Sequence, residues 1–583
     1  MTDLKQGVFG IDLGTTYSAI AYIDESGKPV VVQSAVQGTT TTPSVVHFEN
    51  ESNVVVGMTA KQSAMLEPDK VVSLVKRQMG NADYAPTFFG KTYSAPAISA
   101  FILQGLALDA QMETGRIVDK VVVTVPAYFG ATERAATRQA GEIAGLDVIG
   151  IVPEPVAAAI AYGLATEAGE KNILVYDLGG GTFDVTVISL TAESIDTVAV
   201  AGNHQLGGAD WDAVLFEMLK AGALEQIGDD SIFDEPEFIQ ELWAQAEDVK
   251  KHLSQSESRP VLLRSNGGRA KVTVTRAEFE KLTAHLVQST IDLTRRALEL
   301  ADIEVPGISS NIDEVILVGG SSLMPVISST LRSEFGWNPK LSDPHLAIAK
   351  GAALYAAGVL VREMVDRTVG EKRSAPSNAA AGDSFAQNPE TEAEREASFA
   401  AAAEEVGLQV GIDANRLLGI AKKANINNRL PKAIGVELGD KTVTGWQTMN
   451  PAPTYVSHQV AAQTELPYDA AALGEVFPAG TSIDFQDVVR VAIWEQASPE
   501  PGSALSSNSF LAAGEIIGLA QFRLPAGSPI YLYFGISEEG DITVRAVEPT
   551  SGKDLQVTAR IQLLSAAQMD EAKLVSSGIT VST

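Results

Sequence analysis

One short motif occurs twice in this chain, and it constrains the fold more than any other feature. The first copy, GIDLGTTY, begins at Gly10, and the second, DLGGGTFD, begins at Asp177. Each copy follows an apolar run and precedes an alternating one, which is the pattern of strand, glycine-rich turn and strand. Glycines let backbone N–H groups approach phosphate oxygens, and the Thr hydroxyls add donors. An Asp at each strand end can hold a hydrated magnesium ion. Two such hairpins facing each other predict a phosphate clamp.

Composition excludes several classes of partner. The chain has 583 residues, 45% of them hydrophobic, with a net charge of −30 and no cysteine. Length alone predicts about three to four domains. Because such a negative charge repels nucleic acid and anionic membranes, neither is an expected partner. The absence of cysteine excludes disulfides and fits a reducing compartment. We see no signal peptide at the start of the sequence and expect a cytoplasmic protein.

The first part of the chain alternates strands and helices, which predicts layered α/β architecture in two related halves. Strands are predicted at residues 120–125, 173–177, 197–201 and 314–318. Helices are predicted at residues 131–144, 154–165, 210–221, 237–253, 276–300 and 323–335, and a buried helix at 347–361.

Composition changes after about residue 366. Residues 371–387 are typical of a flexible linker, and residues 390–407 are strong helix formers that end at a glycine. Short strands separated by Gly and Pro turns then predict a small antiparallel sandwich or barrel. These strands are predicted at residues 488–495, 516–524, 530–536, 542–548 and 555–563. Residues 565–583 form a tail that we expect to be too short for another domain.

Four further features point to a nucleotide. A buried strand ends at Pro126, and a helix of small residues begins at Glu154 and can pack tightly between two lobes. A helical face presents charged and hydroxyl groups at i, i+3, i+4 and i+7, and a strand-to-helix turn carries two glycines that suit phosphate or ribose. The residues of these last two features are Glu247, Lys250, Lys251 and Ser254, and Gly319, Gly320 and Ser321.

These motifs, in this order, resemble the ATPase domain of the heat-shock protein 70 (DnaK-type) chaperones, within the actin-like ATPase superfamily. A later stretch, residues 534–546 followed by residues 551–553, resembles the end of that family's β-sandwich. The resemblance implies a multidomain α/β plus β protein that binds ATP or ADP with Mg²⁺ and hydrolyses ATP. The implied domains are an actin-like two-lobed ATPase domain at 1–366, a linker with a helical insertion at 367–432, a β-sandwich peptide-binding domain at 433–564, and a tail at 565–583 without the family's helical lid.

The resemblance also implies a role for each site residue. Asp12 and Asp177 would hold magnesium through waters, Lys76 would stabilise charge on the transferred phosphoryl group, and Glu154 would help organise the attacking water. Pro126 and Arg134 match a family switch that passes the nucleotide state to the second domain. The implied phosphate-binding residues are Gly14, Thr15, Thr16, Tyr17, Gly179, Gly180, Gly181 and Thr182. Glu247, Lys250 and Ser254 would reach ribose and adenine, Lys251 would lie on the ring, and Gly319, Gly320 and Ser321 would complete the nucleotide site.

Other interpretations of the same residues stay open at this point. The two Asp residues can cap turns, Lys76 can be a surface lysine, and Glu154 can simply start a helix before a proline. A charged helical face is commonly only solvated. Val489 and Val491 align with a strand that lines the family's peptide groove, but alternating valines are as readily core.

The sequence departs from the family pattern in several places. Leu323 replaces an arginine that sandwiches the base, which removes a cation–π contact and predicts weaker nucleotide affinity. His345 lies where the family has a carboxylate, and Gly130 and Ala131 replace Asn and Asp. Gly150 replaces a basic residue used by J-domain co-chaperones, so a J-domain partner is doubtful, whereas a nucleotide exchange factor is a compatible partner. The acidic–leucine interdomain linker is not found, and without a lid we expect fast peptide release.

Three functions compete. The first is an ATP-dependent chaperone-like protein that binds unfolded or extended polypeptides by β-augmentation-like contacts. The second is a nucleotide-dependent scaffold or regulator with one dedicated protein partner. The third, a sugar or metabolite kinase of the same superfamily, is disfavoured by Lys76 and by the β-sandwich end.

Overall fold

Two sheets of matching design organise the first two thirds of the chain. The computed structural model describes residues 6–583 except 166–169, 192–193, 342, 344, 375–391, 411–412, 424–425, 428, 444–451, 498–501, 538–540 and 560–565. The elements of the first half are β1 (Gln6–Asp12), β2 (Tyr17–Ile23), β3 (Pro29–Val31), β4 (Thr42–Pro43), β5 (Val46–Asn50), β6 (Asn53–Val56), α1 (Met58–Ser63), β7 (Val71–Val72), β8 (Thr87–Phe88), β9 (Lys91–Thr92), α2 (Ala95–Thr114), β10 (Ile117–Val125), α3 (Ala131–Ile143), β11 (Asp147–Pro153) and α4 (Glu154–Ala165).

The second half repeats this plan. Its elements are β12 (Lys171–Leu178), β13 (Phe183–Leu190), β14 (Ile195–Asn203), α5 (Gly208–Ile227), α6 (Pro236–Leu253), β15 (Ser258–Ser265), β16 (Gly268–Thr275), α7 (Arg276–Leu282), α8 (Ala284–Glu304), β17 (Glu314–Val318), α9 (Pro325–Phe335), β18 (Lys340–Leu341) and α10 (Ala347–Ser374). The first sheet has the order β11-β10-β1-β2-β3, and the second contains β18-β17-β12-β13-β14. In both, an antiparallel three-strand meander is extended by two parallel strands. The repeated motif therefore reflects a repeated structure, and the prediction of two related halves is confirmed.

The two sheets are joined through one pair of helices. α10 packs on β1 and β2 of the first sheet, α4 packs on β12 and β13 of the second, and α4 packs on α10. A Cβ atom on Gly351 would lie 1.8 Å from Ala157 O, and one on Gly10 would lie 2.0 Å from Ala353 N. Small residues are therefore required here because backbones are in contact, as the predicted small-residue helix implied.

Two helix predictions need correction. The predicted helix at 276–300 is two helices, because the chain breaks at Thr283, whose buried hydroxyl donates to Phe279 O at 2.9 Å. The predicted helix at 323–335 begins only at Pro325, after a 3₁₀ turn over Gly320–Leu323. α10 extends to Ser374, so the boundary predicted at residue 366 and the first residues of the predicted 371–387 linker lie within a helix. The rest of that linker lies outside the described residues.

The insertion folds back onto α10. It contains α11 (Glu392–Val410), which overlaps the predicted helix at 390–407 and continues past its glycine, α12 (Ala414–Lys423) and β19 (Ile426–Asn427). Ala403, Val406 and Leu417 are buried in the same apolar cluster as Ala353. β19 then pairs in parallel with β14, so the chain leaves the insertion as an added edge strand of the second sheet.

The described residues between 430 and 559, called the β region below, form two antiparallel sheets around a shared apolar core. Their elements are β20 (Ile434–Gly439), β21 (Thr454–Val460), β22 (Tyr468–Asp469), α13 (Ala470–Leu473), β23 (Phe477–Gly480), β24 (Val489–Gln496), β25 (Asn508–Ile516), β26 (Pro529–Ile536), β27 (Ile542–Glu548) and β28 (Lys553–Ala559). One sheet has the order β21-β20-β24-β25 and the other β22-β26-β27-β28, with β23 also on β26. Val436 and Ile493 of the first sheet share a cluster with Leu532 and Val544 of the second.

One strand prediction in the β region is wrong. Residues 516–524 were expected to be a strand, but β25 ends at Ile516 and Gly518 has a φ of 73°. The chain then turns, and Asp487 accepts hydrogen bonds from Leu519 N and Ala520 N. A left-handed glycine followed by a tethered turn cannot continue a ladder, so the apolar residues there mark a loop.

Residues 566–583, called the return segment below, fold onto the first half of the chain. α14 (Ala566–Ser577) packs against α2 and α3, and β29 (Thr580–Ser582) pairs in parallel with β6. The expected tail is therefore an ordered helix and strand. Among the described helices, none is long and apolar enough to cross a bilayer.

Candidate functional site

The two repeated hairpins face each other and touch. A Cβ atom on Gly180 would lie 2.0 Å from Thr16 Oγ1, and one on Gly181 would lie 2.2 Å from Thr15 Cγ2. Any side chain at these glycines would therefore push the loops apart. The arrangement leaves two sets of backbone amides and hydroxyls along one cleft, as a phosphate clamp requires.

Arg77, in the first half of the chain, binds the second hairpin and the start of α5 in the second half. Its Nε donates to Gly181 O at 2.9 Å, and its Nη2 donates to Asp210 Oδ2 at 2.6 Å. Asp210 also accepts from Gly207 N at 2.7 Å, at the start of α5. Arg77 was not predicted as a site residue from the sequence, although it directly follows Lys76.

A buried ion pair lies at the centre of the cleft. Lys76 Nζ donates to Glu154 Oε1 at 2.5 Å, and both side chains are almost fully buried, 3% and 7% exposed. Lys76 sits in a 3₁₀ turn that follows Leu74, whose φ of 57° is left-handed. Such a backbone persists only where the surroundings enforce it, and here it places an ammonium group inside the cleft. The surface-lysine interpretation of Lys76 is wrong.

Three aspartates are close enough to this ion pair for its charges to affect their pKa values. Burial, together with the charge of Glu154, raises the pKa of Asp12 to about 7 and that of Asp184 to about 7. Burial and the same carboxylate also raise the pKa of Asp177 well above its usual range. Lys76 opposes each of these shifts. The site therefore holds more carboxylates than one lysine can neutralise, which favours the binding of a cation there.

The carboxylates fit a hydrated magnesium ion better than a directly ligated metal. Among the described residues, no three His, Asp or Glu side chains are grouped closely enough to hold a metal ion. Asp12 and Asp177 nevertheless line the same cavity, and Asp177 Oδ2 is buried without a hydrogen-bond partner. Mg²⁺ keeps several waters and needs only one or two carboxylates, so this donor set is suitable.

The opposite end of the cleft is closed by a charged cluster. Tyr17 from the first hairpin donates its hydroxyl to Glu247 Oε1 on α6 at 3.0 Å. Lys61 also pairs with Glu247 and donates to the Tyr17 hydroxyl, and Lys251 Nζ lies 2.6 Å from Glu247 Oε1. Burial raises the pKa of Glu247, but the two ammonium groups outweigh it and lower that pKa to about 2. This cluster bridges the two halves of the chain over the cleft.

Lys250 has a different environment from its neighbours. Its Nζ donates to Gly208 O at 2.9 Å and to Asp212 Oδ2 at 2.7 Å, in the first turn of α5. Ser254 donates its hydroxyl to Lys250 O at 3.1 Å. Lys250 therefore holds the start of α5 in place while lining the cavity, so the helical face is more than a solvated surface.

The glycine turn after β17 packs against the second hairpin. Gly319 has a φ of 78°, and a Cβ atom there would lie 2.4 Å from Leu178 O and 2.6 Å from Asp177 Oδ1. Leu323 and His345 line the same cavity beside this turn. The cavity wall beside this turn is thus more apolar than one with an arginine at position 323.

The cleft is a cavity of about 450 Å³. Every nucleotide-site residue predicted from the sequence lines it except Gly181, which instead forms the contact between the loops. The described residues that complete the lining, and that the sequence analysis did not assign to the site, are Ser18, Thr41, Asp212, Gln255, Met324 and Ile348. Their contribution depends on tertiary contacts between distant segments, so no local pattern marks them.

The predicted switch residues lie between this cleft and the β region. Arg134 Nε donates to Phe129 O at 3.0 Å, and Tyr128 N donates to Asp184 Oδ1 at 2.9 Å, in the segment that follows Pro126. The ring of Phe129 lies 5.8 Å from Lys76 Nζ. One short segment therefore lies against Lys76 in the cleft and against Asp184 behind it.

The same segment contacts the β region at the start of α3. Ala131 N donates to Glu495 Oε1 of β24 at 2.8 Å, and Lys432 Nζ lies 2.9 Å from Glu133 Oε1 and 3.8 Å from Glu495 Oε2. Burial raises the pKa of Glu495 to about 7. Burial also raises the pKa of Glu133, but Lys432 outweighs it and holds that pKa below its usual range. A buried charge cluster thus joins the β region to α3, and no sequence pattern predicted it.

Val489 and Val491 lie on β24 of the β region. Val491 is buried in the core, whereas Val489 is half-buried against it. Both line a cavity of about 320 Å³ together with Leu438 and Leu532. These two valines therefore both contribute to the core and border the cavity.

The sequence matches one family model, described as Hsp70 protein, over residues 8–87 and 81–369. The matched residues span more than half of the chain and contain both hairpins, Lys76, Glu154 and the glycine turn after β17.

Proposed function

Because the chain belongs to the Hsp70 family, we propose that it binds ATP with Mg²⁺ in the cleft, hydrolyses it, and uses the nucleotide state to control polypeptide binding by the β region. The family supports an ATP-dependent chaperone-type function. The observation that carries the proposal is the buried Lys76–Glu154 pair beside Asp12 and Asp177, at the meeting point of the two hairpins.

The proposed chemistry follows from charge and position. The amides of residues 14–17 and 179–182 would bind the phosphates, and Lys76 would donate to the oxygens of the transferred phosphoryl group, where charge develops. Glu154 would orient the attacking water. Mg²⁺, when bound, supplies positive charge to the phosphates, with Asp12 and Asp177 holding its waters. The protein contributes mainly positioning and electrostatic stabilisation.

The β region is proposed as a β-sandwich peptide-binding domain. Its two sheets share a core, and Val489 and Val491 border a cavity between β24 and β26. An extended polypeptide would bind there through backbone contacts and apolar side chains.

A second function is favoured by one observation. The β region is anchored to the ATPase halves by buried contacts, among them Glu495 with Ala131 and Gln463 Oε1, which accepts from Val200 N at 3.2 Å. A domain held in this way suits a nucleotide-dependent scaffold with one dedicated protein partner. In that case ATP would set the conformation without general folding activity.

Single-turnover ATP hydrolysis tests both proposals. We expect hydrolysis in the wild-type protein, a loss of about 10²- to 10³-fold in Lys76→Met, and no loss in Lys91→Met, which removes an exposed lysine from the same half. Wild-type hydrolysis no faster than that of Lys76→Met would reject the ATPase proposal. Stimulation by many unrelated unfolded peptides would support the chaperone, and indifference to all of them would support the scaffold.

A further inference from the structure

A second large cavity, called the α14 cavity below, lies between α14 and residues 81–101 of the first half. Its volume is about 500 Å³, similar to the 450 Å³ of the cleft between the hairpins and within the range of pockets that hold small-molecule ligands. Small and aromatic side chains form most of its buried wall: Ala572, Val575 and Ser576 from α14, and Tyr84, Tyr93 and Phe101 from the first half. None of the functions proposed above uses this cavity.

Tyr93 is the residue that points most directly to a ligand. It lines the α14 cavity and is only 4% exposed, yet its hydroxyl has no hydrogen-bond partner among the described residues. Its ring packs against Phe48 and Phe101, with centroid distances of 4.8 and 6.1 Å, so the side chain is fixed in this position. A buried hydroxyl costs free energy unless an acceptor is present, and the cavity is where an acceptor can enter.

Tyr84 adds a second hydroxyl of the same kind to the cavity. It is half-buried and, like Tyr93, has no hydrogen-bond partner for its hydroxyl in the part of the chain that the structure describes. Burial raises the pKa of Tyr84 and that of Tyr93, and no described charge or acceptor contributes to either shift. Two donors without acceptors therefore belong to one cavity.

The wall formed by α14 is held against the first half. Ser576 is 4% exposed, and its Oγ accepts a hydrogen bond from Gln104 Nε2 of α2 at 2.9 Å. Met569 packs against Ala100 of α2 and Ile143 of α3. The cavity is therefore enclosed on both sides by anchored elements.

The chemistry of the wall favours a neutral aromatic ligand over an ion. The charged side chains of the described lining, Lys91 and Glu571, are exposed and opposite in sign, so the cavity carries no net charge that would attract an ion. Water can accept from the hydroxyls but leaves the rings of Tyr93 and Phe101 without an apolar partner. A flat aromatic ring packs well against such rings, and an oxygen on it can accept from the hydroxyls.

We propose that the α14 cavity binds a small, neutral aromatic molecule that carries a carbonyl oxygen. The carbonyl oxygen accepts from the Tyr93 hydroxyl, and the ring lies between the aromatic wall and Ala572 and Val575 of α14. Tyr84 supplies a donor for a second oxygen on the ligand. This site is separate from the nucleotide cleft and from the cavity beside Val489, so it does not depend on the proposed ATPase or polypeptide-binding function.

Coumarin is a suitable probe because it is neutral, has two fused rings and carries a carbonyl and a ring oxygen. We expect saturable binding of one coumarin to the full chain by calorimetry, with a dissociation constant of about 1 mM or below for a ligand of this size. Tyr93→Phe keeps the ring and removes only the hydroxyl, so it should weaken binding about fivefold. Ala572→Phe fills the cavity and should weaken binding at least tenfold.

Two controls make the result specific to this cavity. Tyr22→Phe removes a half-buried hydroxyl of the same half that does not line the cavity, and it should leave coumarin binding unchanged. 2H-Chromene, which lacks the carbonyl, should bind the wild type and Tyr93→Phe equally well. Absence of saturable coumarin binding would overturn the proposal, and so would binding that Tyr93→Phe leaves unchanged, since the ligand would then occupy another site. Should Ala572→Phe fail to fold, the Tyr93→Phe and 2H-chromene measurements still decide.

Discussion

Removal of Lys432 tests how the β region is held against the first two thirds of the chain. Lys432 is 7% exposed in its side chain, and its ammonium group lies 2.9 Å from Glu133 and 3.8 Å from Glu495. In Lys432→Met two buried carboxylates lose their cation while the side-chain volume is nearly kept. Breaking a buried pair from one side is strongly destabilising because a charge is left uncompensated.

Protonation of Glu133 limits how far the Lys432→Met substitution can weaken docking of the β region. The docked state of the variant can escape by adding a proton to Glu133, whose ordinary pKa is 4.5. At pH 7 that proton costs about 1.4 kcal/mol for each of about 2.5 pH units, or about 3.5 kcal/mol in all. Docking should therefore weaken by a factor of about 300 at pH 7. At pH 5 the same cost falls to about 0.7 kcal/mol, so the penalty should nearly vanish.

The distance between the domains is the appropriate assay. Because the chain has no cysteine, single cysteines at Met112 and Leu473, which are 55% and 63% exposed, allow site-specific labelling for distance measurements. Arg545→Met is the matched control: it breaks an exposed ion pair of the β region at 3.3 Å and should change docking by less than about 1 kcal/mol. A Lys432→Met protein that stays docked at pH 7, or that undocks equally at pH 5 and pH 7, would refute the electrostatic reasoning.

Further predictions concern the nucleotide, pH and peptides. Lys76→Met should lower the hydrolysis rate about 10²- to 10³-fold while ATP still binds, and calorimetry that shows binding lost in parallel would contradict this separation. Leu323→Arg should raise ATP affinity by restoring a stacked cation worth about 0.5–2 kcal/mol, and an unchanged dissociation constant would contradict it. Burial raises the pKa of Glu495 from 4.5 to about 7, so docking of the β region should weaken as the pH rises from 4.5 to 7. Glu495→Gln should abolish this pH dependence. A pH dependence that persists in the variant would assign it to another group. Bound peptides should dissociate quickly in stopped-flow measurements, and slow release would contradict an open groove.

The sequence was most informative where function depends on local backbone. The two hairpins were predictable because glycines, Asp and Thr recur at fixed spacing, and the structure adds that Gly180 and Gly181 are required by contact with the opposite loop. The small-residue helix was predictable for the same reason, since backbone contact with α10 excludes larger side chains.

Features that depend on distant partners were not predictable. Arg77 and Lys61 become site residues only because Asp210 and Glu247 are brought opposite them. The return segment is short, so its strand is stable only on an edge that lies far away in sequence. The break at Thr283 likewise depends on a buried hydroxyl bonded within its own turn, which periodicity alone does not reveal.

The contact between α4 and α10 has a mechanical consequence. Each sheet reaches the other through this helix pair, and Gly351 lies against the backbone of Ala157 with no side chain between them. Because no side chains interlock at this point, one helix can slide or pivot on the other at low cost in free energy, while each sheet moves as a rigid unit. The pair therefore acts as a pivot on one side of the cleft, and the tyrosine–lysine–glutamate cluster around Tyr17 links the two halves at another point. Because Arg77 also joins the halves through Gly181 and Asp210, opening the cleft about this pivot requires that both sets of contacts break.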